Sequence, residues 1–185
     1  PTCVISYGEA GEGAVGYLIG EEHQGMRYMF KMMNNARLGV GVEGLAVAER
    51  ALQQASSFAQ ERRQGKAIGA EAGEQSLIIE HPDVRRMLLT MRAYTDAMRC
   101  ILYANAAALD LAKSHPDSDE RQLASDRAEL LTPISKAWCT DLGVEMTSLG
   151  IQVHGGYGYV EETGAAQHLR DSRISPIYEG TNGIQ

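Results

Sequence analysis

Apolar residues recur every three or four positions from Gly25 to about Arg63. Met26, Met29, Phe30, Met33, Val40, Leu45, Ala48, Leu52, Ala55 and Ala59 form this series. That period predicts one stripe down an α-helix, and about 39 residues at 1.5 Å each make a rod of roughly 58 Å. The Met-rich start reads as core, because Met fills irregular gaps. Gly39, Gly41 and Gly44 weaken the helix, so packing or close approach must compensate. Arg37 falls on the stripe. It either snorkels to solvent or meets an anion or carbonyl inside a cleft. A second stripe runs from Val84 through Met87, Leu88, Met91, Tyr94, Met98, Ile101, Leu102, Asn105 and Leu109 to about Lys113. His81-Pro82-Asp83 opens it, with Pro82 suited to the first turn. A third helix is predicted from about Asp119 to Leu149, its apolar side made of Leu123, Leu130, Leu131, Ile134, Trp138, Leu142 and Leu149. Pro133 predicts a kink or break there, and Trp138 a core anchor. A shorter fourth helix is predicted over Glu162 to Ser172.

The first twenty residues carry a different pattern. Residues 2–7 alternate and are β-prone, residues 8–13 read as a turn, and residues 14–19 as a second short strand. So small a hairpin is marginal alone, which predicts the trailing edge of a preceding β-domain over 1–20 and a helical domain over 21–185. Residues 64–80 read as a loop with Gly65, Gly69 and Gly73. Arg62, Arg63 and Lys66 at its start suit a helix C-terminus or a phosphate. His81 and His115 have helix-boundary contexts without metal-ligand spacing.

Two segments carry candidate chemistry. In Gly150 to Tyr159, Gly155, Gly156 and Gly158 free the backbone for close approach to a ligand. No strand precedes them in a βαβ unit, so this is not the dinucleotide fingerprint. In Arg173 to Gly183, Pro176 disfavours helix at Ser175. Glu179 follows Tyr178 and precedes Gly180, which admits a ligand close to the backbone. Thr181 and Asn182 add short groups able to hydrogen bond a cofactor. The bland reading of this end is a solvated loop and tail.

The 185 residues suit one domain, or one and a fragment, and a hydrophobic share of 44% supplies a core. A formal charge of −7 argues against a nucleic-acid surface. No apolar run reaches the roughly 18 residues of a membrane span. The cysteines at 3, 100 and 139 are too scattered for a disulfide frame. They suit buried thiols in a reducing cytosol, so a cytoplasmic location is expected. The Pro1 start and the terminal placement of the candidate site predict a piece of a longer protein.

Four features in order resemble the C-terminal all-α domain of acyl-CoA dehydrogenases: Arg37 on a long helix, Arg62 to Gly65 after it, Gln152 to Gly158, and Tyr178 to Thr181. The similarity covers essentially the whole chain. Residues 29–37 and 80–88 resemble the subgroup that includes the 3-methylmercaptopropionyl-CoA dehydrogenases. The resemblance implies an antiparallel four-helix bundle behind a hairpin remnant of a middle β-domain. It also implies FAD-dependent oxidation of an acyl-CoA thioester to its 2,3-enoyl form. Glu179 would be the general base, with the β-hydride passing to flavin N5. A base elsewhere in the family precedes the helix Arg, where this chain has Ala36. Arg62 would reach the flavin pyrophosphate of a neighbouring subunit, and Gln152, Gly155 and Gly156 its adenosine half. Thr181 and Gly183 would touch the cofactor from the Glu179 side. Asn34, Arg37, Tyr178 and Gly180 would shape the substrate pocket. Implied partners are the acyl-CoA, an electron-transfer flavoprotein or similar acceptor, and further copies in a homodimer or homotetramer.

One departure stands out. The family's loop reads Arg-x-x-Phe-Gly, whereas this chain has Arg62-Arg63-Gln64-Gly65, which leaves Arg63 as an alternative contact. Two other functions stay open: an acyl-CoA oxidase or damage-response flavoprotein of the same fold, and a helical interaction module without catalysis. The missing N-terminal and middle domains imply an inactive isolated fragment.

Overall fold

The computed structural model describes residues 3–9, 11, 13–71 and 73–184. These form two compact units, within residues 1–32 and 33–185. Five α-helices are present among the described residues: α1 (Gly25–Glu61), α2 (Pro82–Ser114), α3 (Ser118–His154), α4 (Gly156–Tyr159) and α5 (Ala165–Ser172).

In the first unit the expected hairpin is not shown. No strand is present among its described residues, and Thr2, Ala10 and Glu12 lie outside them. One bond crosses the turn, from Ala14 N–H to the Tyr7 carbonyl at 3.1 Å. A single such bond makes no ladder, and an isolated hairpin lacks a packing face. Tyr28 packs so closely on Gly20 that a Cβ there would lie 2.5 Å from its ring. Met26, Met29, Phe30 and Met32 are exposed, against the expectation that this Met-rich turn is core.

In the second unit, α1 to α3 alternate in direction and α5, eight residues long, completes the alternation. Their side-chain pairings fix this order. Gly41 of α1 lies against Leu102 of α2 and Ser135 of α3, while Gly150 of α3 lies against Ala51 of α1 and Met91 of α2. Position numbers thus rise together on α1 and α3 and fall on α2. Ser172 at the end of α5 meets Thr147, with hydroxyl oxygens 3.1 Å apart. The middle of α5 meets α1, where His168 Nε2 lies 3.0 Å from Gln54 Oε1.

Helix α3 is central, and most of its buried face is small or polar: Ala124, Ala128, Thr132, Ser135, Lys136, Cys139, Thr140, Gly143, Thr147 and Gly150, with Leu142, Met146 and Val153 its large apolar members. The large residues expected to face inward mostly do not. Leu123, Leu130 and Ile134 are exposed, and Trp138 retains 36% of its surface. Small side chains let the helix axes approach, and Gly44 of α1 crosses Gly143 of α3 backbone to backbone. A Cβ on Gly44 would sit 2.5 Å from the Cys139 carbonyl oxygen. Gly41 is equally confined, with a Cβ 2.9 Å from Leu102. Buried hydroxyls are satisfied inside the helix, as where Thr140 Oγ1 donates to the Lys136 carbonyl at 2.8 Å. The helix runs unbroken through Pro133. Asp117 caps its start, accepting from the amides of Asp119 and Glu120. It also ends later than expected, at His154, so Gln152 belongs to its last turn.

Candidate functional site

The second unit carries two clusters, one beside Asn34, Arg37 and Glu43 of α1 and one at the C-terminal end of that helix. After α5 the chain doubles down along α3 in tight turns. Tyr178 N–H donates to the Ile174 carbonyl at 3.1 Å, and Asn182 N–H to the Pro176 carbonyl at 3.1 Å. Glu179 lies between them with φ of 53°, in the left-handed region, followed by Gly180 at 95°. A non-glycine residue in that region is strained and needs surroundings that hold it. Arg37 Nε donates to the Glu179 carbonyl at 3.4 Å, while its Nη1 donates to Asn34 Oδ1 at 2.9 Å. Arg37 is therefore half-buried and bonded, and does not snorkel to solvent. From α3, Lys136 Nζ donates to the Gly180 carbonyl and to Asn182 Oδ1, each at 2.8 Å.

Asn182 behaves differently from expectation. Its Nδ2 donates to the Ala137 carbonyl at 3.2 Å, to Thr140 Oγ1 at 2.9 Å and to Asp141 Oδ1 at 2.9 Å. The amide that looked suited to a cofactor is spent pinning the turn to α3. Tyr178 donates its hydroxyl to the Glu43 carboxylate of α1. Burial first, then that acceptor's charge, pushes the phenol up to about 12, so it stays protonated as a donor. Thr181 and Gly183 are exposed beyond the turn. This end is an anchored turn and not a frayed tail.

The other cluster surrounds the C-terminal end of α1. Ile78 N–H donates to the Arg62 carbonyl at 2.8 Å, and Gln64 N–H to the Ser76 carbonyl at 2.9 Å. Arg63 pairs with Leu77 in an isolated bridge. Successive side chains of an extended stretch point to opposite sides. Arg63 accordingly turns away and donates to the Gln75 carbonyl at 2.8 Å. Arg62 instead lies 5.4 Å above the Tyr157 ring and lines a cavity of about 290 Å³ with Phe58, Gln152, His154 and Gly155. Phe58 stacks on the His154 ring at 4.5 Å. His154, which drew no notice in the sequence, is buried with Nδ1 2.7 Å from the Gly150 carbonyl. Gly155 adopts φ of 59° and ψ of −137°, open to glycine alone. A Cβ on Gly155 or Gly156 would meet nothing within 4 Å, so their faces are free for a ligand.

The structure thus groups Glu179, Gly180, Tyr178, Arg37 and Asn34 in one cluster, and Arg62, Gln152, Gly155 and Gly156 in the other. Lys136 and Glu43 went unnoticed in the sequence. The available signal for Lys136 was its four-residue spacing from Thr132 and Thr140 on the small-residue face. No metal-binding group of side chains is present among the described residues, and no helix is long and apolar enough to cross a membrane. Cys139 is buried, and burial pushes its thiol up to about 12. Cys3 and Cys100 are exposed, so the expectation of three buried thiols fails.

Residues 23–185 match the family model of the acyl-CoA dehydrogenase C-terminal domain. The chain is 51% identical over 185 residues to the 3-methylmercaptopropionyl-CoA dehydrogenase of Ruegeria pomeroyi, covering 100% of this chain and 31% of that protein. It superposes on Caenorhabditis elegans ACDH-11, solved with C11-CoA, at a TM-score of 0.80 with 28% identity, covering 94% of this chain and 27% of the other. For an FAD-complexed acyl-CoA dehydrogenase of Bacillus anthracis the TM-score is 0.76 with 28% identity, covering 89% and 28%. The chain belongs to the acyl-CoA dehydrogenase family, whose C-terminal helical domain it carries.

Proposed function

We propose that this chain supplies the catalytic turn and part of the cofactor cradle of an FAD-dependent acyl-CoA dehydrogenase. Residues 1–20 would be the trailing edge of its middle β-domain. The observation that carries this reading is the anchored left-handed turn at Glu179, with consecutive carbonyls held by Arg37 and Lys136. A carbon acid beside a thioester is weakly acidic in water. Its proton is removed efficiently only by a base held in hydrogen-bond reach within a water-poor site. Glu179 takes the α-proton. The Glu179 amide N–H is a donor for the thioester oxygen as negative charge builds there. Asn34, Arg37, Tyr178 and Gly180 border the acyl group.

The second cluster has the donor set of a dinucleotide site. The Arg62 guanidinium matches a pyrophosphate, Gln152 offers an amide, and Gly155 and Gly156 allow close backbone approach. Thr181 and Gly183 meet the cofactor from the turn side. Bound FAD supplies the hydride acceptor for the β-carbon. The 51% identity to a 3-methylmercaptopropionyl-CoA dehydrogenase favours a short acyl chain. An electron-transfer flavoprotein or similar acceptor would then reoxidise the protein, a homodimer or homotetramer in the cytoplasm.

Anaerobic titration of the full-length flavoprotein with butyryl-CoA and 3-methylmercaptopropionyl-CoA tests the reading. Bleaching of the flavin absorbance is expected for wild type. Glu179→Gln should retain flavin and lose bleaching by at least about a hundredfold in rate, the scale of a positioned base. Bleaching at the wild-type rate in that variant rejects Glu179 as the base.

A further inference from the structure

Lys136 is fully buried, with 0% of its surface exposed. No salt bridge within 4 Å balances it among the described residues. A charged ammonium is costly to bury without compensation, and a helix face of small side chains has many neutral residues that would pack there. Burial lowers the Lys136 pKa, with Arg37 adding to the effect and Asp141 and Glu179 opposing it. Its ammonium donates to two acceptors in the turn, Gly180 O and Asn182 Oδ1, both at 2.8 Å. Asn182 ties in turn to Ala137, Thr140 and Asp141 of the same helix. With Arg37 on the Glu179 carbonyl at 3.4 Å, cations from α1 and α3 grip the two successive peptides that flank Gly180.

We propose that Lys136 is a positioning residue for the reaction: by clasping the Gly180 carbonyl and Asn182 it holds Glu179 in its left-handed conformation, so that the carboxylate and the Glu179 amide face the reacting carbons together. This rests on the reading of Glu179 as the base. A left-handed non-glycine residue reverts to an ordinary backbone conformation unless held. That reversion swings the carboxylate away and turns the amide from the thioester oxygen. A misplacement of about 1 Å is worth up to a hundredfold in rate. Lys136 touches neither substrate nor cofactor in this assignment, so the loss falls on the chemical step and not on acyl-CoA affinity.

The test is rapid anaerobic mixing of the full-length flavoprotein with butyryl-CoA and 3-methylmercaptopropionyl-CoA, comparing wild type with Lys136→Met, Asn182→Ala and Glu179→Gln. Lys136→Met should reduce flavin at least about tenfold more slowly at saturation, with the substrate dissociation constant and flavin content within about twofold of wild type. The charged and titratable groups around the turn are Arg37 and Glu43 on α1, Lys136 and Asp141 on α3, and Tyr178. Removing the Lys136 cation from that set should also move the pH dependence of the reduction rate upward, which loss of packing alone would not do. If Lys136→Met fails to fold with flavin, Asn182→Ala decides, since it removes one of the two clasped partners and should slow reduction severalfold. Wild-type rate and pH profile in either folded variant, with Glu179→Gln inactive, overturn the role of Lys136 and leave the base in place. Bleaching at the wild-type rate by Glu179→Gln overturns the base itself and the inference with it.

Discussion

Gly39 and Gly44 share helix α1, and the same substitution should act on them in opposite directions. A Cβ at Gly44 would press on backbone atoms of Cys139 and Thr140, at 2.5 to 3.0 Å, which cannot rotate away as a side chain could. Gly44→Ala should therefore cost about 1–3 kcal/mol or more through overpacking at the α1–α3 crossing. A Cβ at Gly39 would meet nothing within 4 Å. Gly39→Ala should instead stabilise the protein by about 0.5–1 kcal/mol, by restricting the unfolded chain. Denaturant melts of the two full-length variants check both signs at once. The sequence marked both glycines as weak points without telling them apart, because helical period does not say which neighbour passes closest. The same limit hid Lys136, whose importance lies in what packs above it across 44 positions of chain.

At the scale of elements, the number, order and starts of the long helices were legible, since each begins where the period changes and Pro82 marks a first turn. The facing of α3 was not. Large apolar residues were taken for its inner side, and Leu142 does face inward, but most of the buried side is a run of Ala, Ser, Thr and Gly with Lys136. Close axial approach selects small residues, whereas the stripe of Leu123, Leu130, Ile134 and Trp138 faces outward. Between α1 and α2 the tie is partly ionic. Arg99 donates to Glu49 Oε2 at 3.0 Å and to Asp96 Oδ1 at 3.1 Å. The Arg99 bond, aided by Gln53, holds the Glu49 pKa below its ordinary range. A depressed carboxylate contributes stability above its unfolded value and loses it as pH falls through the folded one. Both partners keep solvent access, so the pair is worth under about 1 kcal/mol. Glu49→Gln should thus melt slightly earlier than wild type at neutral pH. The gap should narrow as the pH falls through the titration of the depressed carboxylate, and thermal melts at neutral and acid pH measure it.

At the scale of the molecule, the two clusters are too far apart to serve one bound cofactor from a single chain. Arg37 and Arg62 are separated by 25 steps of α1 and its end, about 37 Å at 1.5 Å per residue. Both clusters become useful if one copy contributes the Glu179 turn and another the Arg62 cradle to the same site, as the family resemblance implied. Symmetric association then gives every site one cluster from each copy. Complementation tests this directly. Glu179→Gln and Arg62→Glu should each inactivate the homo-oligomer, the second by repelling the pyrophosphate. Co-expressed in equal amounts, they should regain about a quarter of wild-type activity: half of the dimers are mixed, and each mixed dimer has one intact site of two. Purifying the mixed species with two different affinity tags should raise that to about half. If the clusters instead served separate sites within each chain, no mixture of the two variants would recover activity, because every site would lack either its base or its cradle.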